Sequence, residues 1–305
     1  MNGFIWLASY PRSGNTWFRL LAASLALEGD AAPDINDLIG HSAGARLAFD
    51  AITLLDSALL SAAETDRLRP GAYRAMADGA YRDPAIPTAA PAPPLMKVHD
   101  AYRYTPGGQP VFAGARGAIV MVRDPRAVAA SLAGFLSCTV DRAIEIMASD
   151  DYALGRGLRS WPHHMPQTVE SWSANVAGWM TQTDVPVHLV RYEDIRRDTA
   201  GVFRDAMAFA GATVSPAQAE QAAARAGFST LRAQETAHGF REWSALKRSS
   251  DARFFRRGEA EGWRDELTAA QIARIEARHG DIMDMLGYTR ATAPDPLLQG
   301  TAPCA

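Results

Sequence analysis

Two side chains that could carry group-transfer chemistry stand close together in one short apolar run. Residues 95–98 have the length and composition of a buried strand, and Lys97 and His99 lie at its end. Side chains two residues apart on a strand face the same side. A histidine can take a proton from an attacking hydroxyl, and a lysine can stabilise negative charge on a transferred group. We therefore expect His99 to be a general base and Lys97 to be its partner.

The loop after the first apolar run is rich in groups that bind anions. That run covers residues 4–8, and a helical pattern covers residues 16–27. Backbone N–H groups and the dipole at the start of a helix attract phosphate. The loop offers a full charge, several donors and a site of close backbone approach in Arg12, Ser13, Gly14, Asn15 and Thr16. Because it contains no Walker lysine, we expect a phosphate-binding loop of another kind.

A second anion site is indicated after residues 118–122, the clearest strand of the sequence. Arg123 follows that strand, and Asp124 followed by proline is typical of a helix start. Ser131 lies about two turns into this helix, on the face that points back to the strand. An arginine fork and a hydroxyl in this arrangement can hold one phosphate.

The pattern of apolar runs indicates the fold class. Continuous apolar strands, including one at residues 187–190, alternate with helical patterns, which predicts an α/β fold with a parallel sheet covered by helices on both faces. A last helix is expected to begin at Thr268 and to end at Gly287. We expect a single domain over residues 1–290.

Two segments do not follow this pattern. Residues 30–94 are rich in alanine, are expected to be partly helical, and end in a proline-rich stretch over 84–94. Residues 137–167 are expected to be irregular and contain the cluster 161–164, which includes His163 and His164. We expect both segments to be insertions that form the wall or lid of an acceptor pocket. Residues 291–305 are expected to be a disordered tail.

The composition excludes several functions. The net charge of -3 and the pI of about 6.2 argue against a nucleic-acid or membrane-surface partner. The two cysteines and the histidines form no metal-ligand spacing, so that no metal is expected. The sequence has no secretory signal or apolar span of about 18 residues, and we therefore expect a cytoplasmic protein.

The loop that begins at Tyr10 carries a specific resemblance. It is similar to the 5'-phosphosulfate loop of sulfotransferases that use 3'-phosphoadenosine 5'-phosphosulfate (PAPS), usually Tyr-Pro-Lys-Ser-Gly-Thr-Thr-Trp. The match extends to Trp17, with Arg12 in place of the lysine and Asn15 in place of a threonine. An arginine keeps the charge, but its planar fork is not equivalent to an ammonium group.

Three further motifs of that family follow in the family's order. They are a Lys-Thr-His motif, an Arg-(x)7-Ser motif for the 3'-phosphate, and an Arg-Lys-Gly segment that wraps the same phosphate. The matching residues are Lys97 and His99, then Arg123 and Ser131, then Arg256, Arg257 and Gly258. The resemblance runs from residue 9 to residue 263 and covers most of the chain.

The resemblance implies a P-loop-like fold and in-line transfer of a sulfuryl group from PAPS to a hydroxyl of a small molecule. His99 would be the base, and Arg12 and Lys97 would stabilise the developing charge. Adenine would be contacted by Trp17, Tyr192 and Phe228. The loop variant looks most like that of bacterial enzymes that tailor secondary metabolites. No motif specifies the oligomeric state.

Two alternatives share the fold class. A P-loop-like kinase acting on a small molecule would need an acidic magnesium ligand after a strand, and Asp124 is the candidate. A Walker lysine, which such a kinase should also have, is absent from the sequence. A nucleotide-binding protein without catalytic activity is the other alternative, and the pair of Lys97 and His99 argues against it.

Overall fold

The computed structural model of the chain describes residues 3–29, 31–38, 41–80, 94–155, 163–244 and 253–291. Parts of three segments discussed above lie outside these ranges. They are residues 84–93 of the proline-rich stretch, residues 161 and 162 of the aromatic and histidine cluster, and residues 292–305 of the tail. The described residues form a single α/β domain.

Within the described ranges, seven strands make two sheets. In chain order they are β1 Ile5–Ser9, β2 His41–Ser42, β3 Leu95–Val98, β4 Gly117–Val122, β5 Ala153–Leu154, β6 Gln167–Thr168 and β7 Val187–Arg191. β5 and β6 pair with each other antiparallel, and the other five strands form a parallel sheet. The four apolar runs predicted as strands are confirmed to within one residue at each end.

Twelve α-helices connect these strands in the described part of the chain. They are α1 Asn15–Ser24, α2 Arg46–Thr53, α3 Ala62–Ala77, α4 Pro125–Leu136, α5 Val140–Ala148, α6 Trp172–Thr181, α7 Tyr192–Arg197, α8 Thr199–Phe209, α9 Pro216–Arg225, α10 Phe228–His238, α11 Arg241–Ser244 and α12 Ala269–Met285. A short 3-10 helix covers Gly262–Asp265.

The predicted helix signals are present in the structure. Asp124 caps α4 by accepting a hydrogen bond from the backbone N–H of Arg126 at 2.9 Å, with proline in the first turn. Thr268 caps α12, and Gly287 follows its end with a φ of 74°, as a terminating glycine does. The first helix ends at Ser24, three residues earlier than the sequence pattern predicted.

The prediction for residues 137–167 was wrong in one part. The segment was expected to be irregular, but Val140–Ala148 is a helix that Thr139 caps. Its buried residues, Ala143, Ile144 and Met147, recur at helical spacing and contribute to the core.

The two central strands, β1 and β4, are buried along their whole length, and apart from Ser9 at the end of β1 they contain no polar side chain, as burial on both faces of a parallel sheet requires. In β1, Trp6 and Ala8 contribute to a core with residues of α4, α6 and α12. Ile5 and Leu7, on the other face of β1, contribute to a second core with α1, α8 and α9. β1 therefore lies at the centre of the domain between two helical layers.

The strand order decides where the loops meet. The order is β2-β3-β1-β4-β7, so that the chain passes from β1 to β3 on one side and then to β4 on the other. In register, Leu7 of β1 lies beside Lys97 of β3 and beside Ile119 of β4. The five strands of this sheet are parallel, and the segments after β1, β3, β4 and β7 leave it at one edge. Such a switch in strand order is the usual ligand site of an open α/β sheet.

No single helix of the described residues is long and apolar enough to span a membrane. The pair of α4 and α5 passes that test together, with a bend of 113° between the two helices.

Candidate active site

A cavity of about 740 Å³ lies where the loops after these strands meet. This volume is in the range of small-molecule sites in proteins. Ser13 is the only residue assigned to the site from the sequence that does not line it, and its buried hydroxyl has no hydrogen-bond partner among the described residues. The others all line the cavity: Arg12, Gly14, Asn15, Thr16, Trp17, Lys97, His99, Arg123, Ser131, Tyr192, Phe228, Arg256, Arg257 and Gly258.

His99 is held in one orientation from behind the cavity. Its Nδ1 lies 2.9 Å from the carbonyl oxygen of Ser9 and 3.2 Å from the Oγ of the same residue. A carbonyl oxygen can only accept a hydrogen bond, so that Nδ1 carries the proton and Nε2 is the nitrogen able to accept one. The backbone of the next turn is fixed by α6, since Asn175 donates to the carbonyl oxygen of His99 and Trp179 to that of Asp100.

The surroundings of His99 keep it neutral. Burial and the neighbouring charge of Lys97 lower the pKa of His99 to about 3. A neutral imidazole with its proton on Nδ1 has the state that a general base needs. The geometry and the pKa of His99 therefore both suit a general base.

Lys97 makes an ion pair that the sequence did not indicate. Its Nζ lies 3.1 Å from a carboxylate oxygen of Glu242, whose other oxygen lies 2.8 Å from Arg19. Although burial raises the pKa of Glu242, the charges of Lys97 and Arg19 lower it to about 2. Lys97 is only 19% exposed, and burial lowers its own pKa. Glu242 and Arg19 both line the cavity and belong to its charged lining.

The loop between β1 and α1 takes a conformation that its glycine makes possible. Gly14 has a φ of 101°, and a Cβ there would lie 2.9 Å from a ring carbon of Tyr192. Arg12 also has a positive φ, 74°, which is unfavourable for a residue with a side chain. The loop therefore holds its backbone against the residue that follows β7.

The side chain of Arg12 leaves its own loop and reaches helix α4. Its Nε donates to the Oγ of Ser131 at 3.0 Å, and Nη2 donates to the carbonyl oxygen of Phe254 at 2.8 Å. The guanidinium also lies 4.0 Å from the centre of the Phe254 ring. Burial and the charges of Arg123 and Arg256 lower the pKa of Arg12 to about 9. The surroundings of Arg12 therefore have an excess of positive charge.

Arg123 makes its hydrogen bonds with uncharged groups. It donates to the carbonyl oxygens of Arg12 and Glu259, and its guanidinium stacks 4.2 Å from the ring centre of Tyr192. Its buried Nε has no hydrogen-bond partner among the described residues. Ser131 lines the same cavity, where its hydroxyl meets Arg12. The two anion motifs of the sequence thus lie together on one wall.

The basic turn at Arg256 is paired with carboxylates. Arg256 donates two hydrogen bonds to Glu266, and Arg257 lies 3.2 Å from Glu266 and 2.8 Å from Glu259. Both arginines line the cavity together with Glu259 and Glu266. A phosphate bound at this turn would compete with these carboxylates for the guanidinium groups.

Aromatic rings line the end of the cavity next to α1. The indole of Trp17 donates to the carbonyl oxygen of Ala226 at 3.0 Å and lies edge-on to Tyr192 at 6.0 Å. Phe228, the first residue of α10, packs so tightly on Gly258 that a Cβ there would lie 2.4 Å from its ring. Flat, fixed rings that line a cavity suit the stacking of an aromatic base.

A buried carboxylate joins the turn at Arg256 to α10. Glu235 accepts hydrogen bonds from the backbone N–H groups of Phe254 and Phe255. Phe255 also lies edge-on to Phe228 at the other end of α10. These contacts fix the relative positions of Phe228 and the segment around Phe254.

The two insertions also contribute residues to the lining of the cavity. Ser42 and Ala45 belong to residues 30–94, and Leu154, His163 and His164 belong to residues 137–167. Burial and the charge of Lys97 lower the pKa of His164, which indicates that this histidine lies near Lys97.

Solved structures with the same fold include a retinol dehydratase and a mouse sulfotransferase. Retinol dehydratase in complex with androsterone and inactive cofactor PAP is 19% identical, with a TM-score of 0.54 over 95% of this chain and 82% of that one. Mouse sulfotransferase SULT7A1 complexed with PAP is 18% identical, with a TM-score of 0.54 over 92% and 84%. Retinol dehydratase in complex with retinol and PAP is 18% identical, with a TM-score of 0.55 over 95% and 83%.

The sequence itself matches one protein-family model. No curated protein sequence matches the chain. The model of the sulfotransferase domain, however, matches residues 3–287, which include every strand and helix described above. The resemblance inferred from the motifs is thereby confirmed, and the chain belongs to the sulfotransferase family.

Proposed function

We propose that the protein transfers the sulfuryl group of PAPS to a hydroxyl of a small-molecule acceptor, with His99 as the general base. The observation that carries this proposal is the shared cavity. A neutral histidine with an unprotonated Nε2 lies in the same cavity of about 740 Å³ as the cations of two anion motifs. Base and anion site are thus within reach of one bound donor.

The residues of the cavity fit the donor in charge and in shape. Arg123, Ser131 and Arg256 offer cationic and hydroxyl groups for a 3'-phosphate. The start of α1 after Gly14 offers backbone N–H groups for a 5'-phosphosulfate. The fixed ring of Trp17 offers a stacking surface for adenine. The nearby solved structures, in which PAP is bound, support the same choice of donor.

PAPS would supply the sulfuryl group, with adenosine 3',5'-bisphosphate as the product that leaves. The protein would accept the proton of the acceptor hydroxyl on Nε2 of His99, because Nδ1 is already protonated and bound to Ser9. Lys97 and Arg12 would hold the negative charge that spreads over the transferred group and the leaving oxygen. With His99 as the base and with Lys97 and Arg12 as the cations, the proposed transfer needs no other proton acceptor.

The acceptor is proposed to bind on the wall formed by the two insertions. Residues 42, 45, 154, 163 and 164 line the cavity on segments outside the donor motifs. Retinol and androsterone, named in two of the neighbouring structures, are small molecules with a hydroxyl group and support that acceptor class. A cytoplasmic location stays a prediction from the sequence.

The kinase alternative is disfavoured by the contacts of Asp124. Both carboxylate oxygens of Asp124 accept hydrogen bonds from Arg126, and one also caps α4. Arg126 lies between Asp124 and Glu276 in a buried network. A carboxylate held in this way is not free to coordinate magnesium.

The decisive experiment is a calorimetric titration with adenosine 3',5'-bisphosphate, run in parallel with ATP and magnesium. We expect the bisphosphate to bind and ATP to be inert. Arg123→Ala should weaken bisphosphate binding by about 10- to 100-fold, the loss of one charge-assisted contact. Arg142→Ala, which removes an exposed arginine of α5, is the matched control and should bind as the wild type does.

Turnover then tests the catalytic part of the proposal. PAPS and a panel of phenols and alcohols would be supplied, and release of the bisphosphate would be followed. We expect product with the wild type and a loss of about 100-fold or more with His99→Gln. Binding of ATP in place of the bisphosphate would exclude the sulfotransferase proposal in favour of the kinase.

A further inference from the structure

The amide nitrogen of Asn15 is bonded to strand β1. Its Nδ2 donates to the carbonyl oxygen of Leu7 at 2.9 Å and to the Oγ of Ser9 at 3.2 Å. An amide nitrogen has two hydrogens, so that both are used by these two acceptors. Asn15 is the first residue of α1 and is almost fully buried. The amide therefore ties the start of α1 to the end of β1.

Ser9 continues the contact to the catalytic side of the cavity. Its Oγ lies 3.2 Å and its carbonyl oxygen 2.9 Å from Nδ1 of His99. The single Nδ1–H therefore meets two oxygens of one residue, which restricts both the direction of the bond and the plane of the ring. The Oγ of Ser9 is itself bonded to Asn15, which follows the loop after β1. The orientation of the imidazole is therefore linked to that end of the loop.

We propose that Asn15 is a positioning residue for His99 and acts through Ser9. Asn15 fixes the Ser9 hydroxyl, Ser9 fixes the Nδ1–H, and Nε2 is left unprotonated at a defined place. The significance of this chain rests on the proposed role of His99 as the base. The arrangement also explains why an asparagine suits this position of the loop, because a threonine hydroxyl has one hydrogen and cannot satisfy both Leu7 and Ser9.

The test measures the ring proton of His99 and does not depend on an acceptor. With 15N-labelled histidine, the Nδ1–H signal of His99 is assigned by its absence in His99→Gln, and its exchange rate with water is measured. We expect slow exchange in the wild type and at least about tenfold faster exchange in Ser9→Ala and in Asn15→Leu, the effect of one lost hydrogen bond. Asn15→Thr keeps one hydrogen-bond donor, and its exchange rate should lie between that of the wild type and that of Asn15→Leu.

Ser24→Ala is the matched control. Ser24 is buried in the same helix and donates to the carbonyl oxygen of Leu20, so that its loss removes one hydrogen bond without touching His99. We expect its exchange rate at His99 to equal that of the wild type. If Asn15→Leu does not fold, Ser9→Ala carries the test. Wild-type exchange rates in every folded variant of Asn15 and Ser9 would overturn the proposal.

Turnover of PAPS with a phenol separates this inference from the proposed function. We expect Ser9→Ala and Asn15→Thr to lower kcat several-fold, with the KM for PAPS changed less than about twofold, as for a group that acts in the transition state. The double variant, Ser9→Ala with Asn15→Thr, should have a kcat no lower than that of the more damaging single variant. If His99→Gln retains full activity while the exchange rates change as expected, the base assignment fails and the positioning contact stands.

Discussion

The Nε of Arg12 donates a hydrogen bond to the Oγ of Ser131 at 3.0 Å, across 119 residues of chain. The first residue belongs to the loop after β1 and the second to helix α4, so that the contact joins the two anion motifs. Arg12 occupies the position at which the loop of the sulfotransferase family usually has a lysine. Its longer side chain adds a contact with Ser131 of α4. It lies between the two proposed phosphate sites and contacts α4 directly.

Arg12→Lys should therefore weaken nucleotide binding as well as catalysis. A lysine keeps one charge but has no fork with which to contact Ser131 and Phe254 together. We expect the Kd of adenosine 3',5'-bisphosphate to rise about tenfold, measured by calorimetry. Arg142→Lys is the control. An unchanged Kd with a lower kcat would assign Arg12 to the leaving oxygen alone.

Glu242 is expected to limit the affinity for the donor. Its carboxylate lies 3.1 Å from Lys97 inside the proposed anion site, and 36% of its side chain is exposed. Glu242→Gln removes this negative charge and should tighten binding of the bisphosphate roughly threefold to tenfold, with a steeper dependence on salt. Glu145→Gln makes the same change of charge on the exposed face of α5 and should have no effect. Weaker binding would mean that Glu242 holds Lys97 in place.

The pH profile should lack the acid limb of an ordinary histidine. The pKa of His99 is lowered to about 3, so that the base stays neutral far below its usual range. A histidine of pKa 6.5 would cost about thirtyfold in kcat/KM between pH 7.5 and pH 5. We expect a fall of less than about threefold over that interval, measured with PAPS and a fixed phenol.

Lys97→Met tests the cause of that shift. Burial is the larger cause and the charge of Lys97 the next, so that removal of the charge should raise the pKa of His99. The acid limb of the residual activity should then move towards neutral pH. A limb that stays where it was in the wild type would exclude Lys97 as a cause.

Gly258→Ala should damage the nucleotide site more than the fold. A Cβ at this position would lie 2.4 Å from the ring of Phe228, and the φ of 69° is unfavourable for alanine. We expect about tenfold or greater loss of bisphosphate affinity and a destabilisation of the order of 1 kcal/mol. Gly239→Ala shares the φ of 69° but has open space around it, and should show the destabilisation alone.

The sequence predicted the residues whose signals are local. The four strands, the capped helices α4 and α12 and the motif residues after each strand end could all be identified from short patterns, and they meet at one edge of the sheet. Helix α5 was missed although Thr139 and three apolar residues at helical spacing carried the signal. Short insertions with mixed composition hide such patterns.

The residues that were missed act over long distances in sequence. Glu242 lies 145 positions from Lys97, and Ser9 lies 90 positions from His99. Glu242 lies outside the motifs and Ser9 lies at the edge of one, and neither contact could be read from neighbours in the chain, because the folding of distant segments brings the partners together. The side chain of Asn15 was expected to bind the phosphate of the sulfuryl donor, and its amide nitrogen is instead bonded to β1.

The hydrogen bonds of Glu235 bear on the order of events in turnover. They join the segment at Phe254 to α10, whose first residue, Phe228, lines the cavity where we propose that the nucleotide binds. Phe228 and the segment at Phe254 are therefore held together by one carboxylate. If the nucleotide binds against both as proposed, these two parts of its site cannot separate without the loss of the hydrogen bonds of Glu235. We expect release of the product to depend on these bonds.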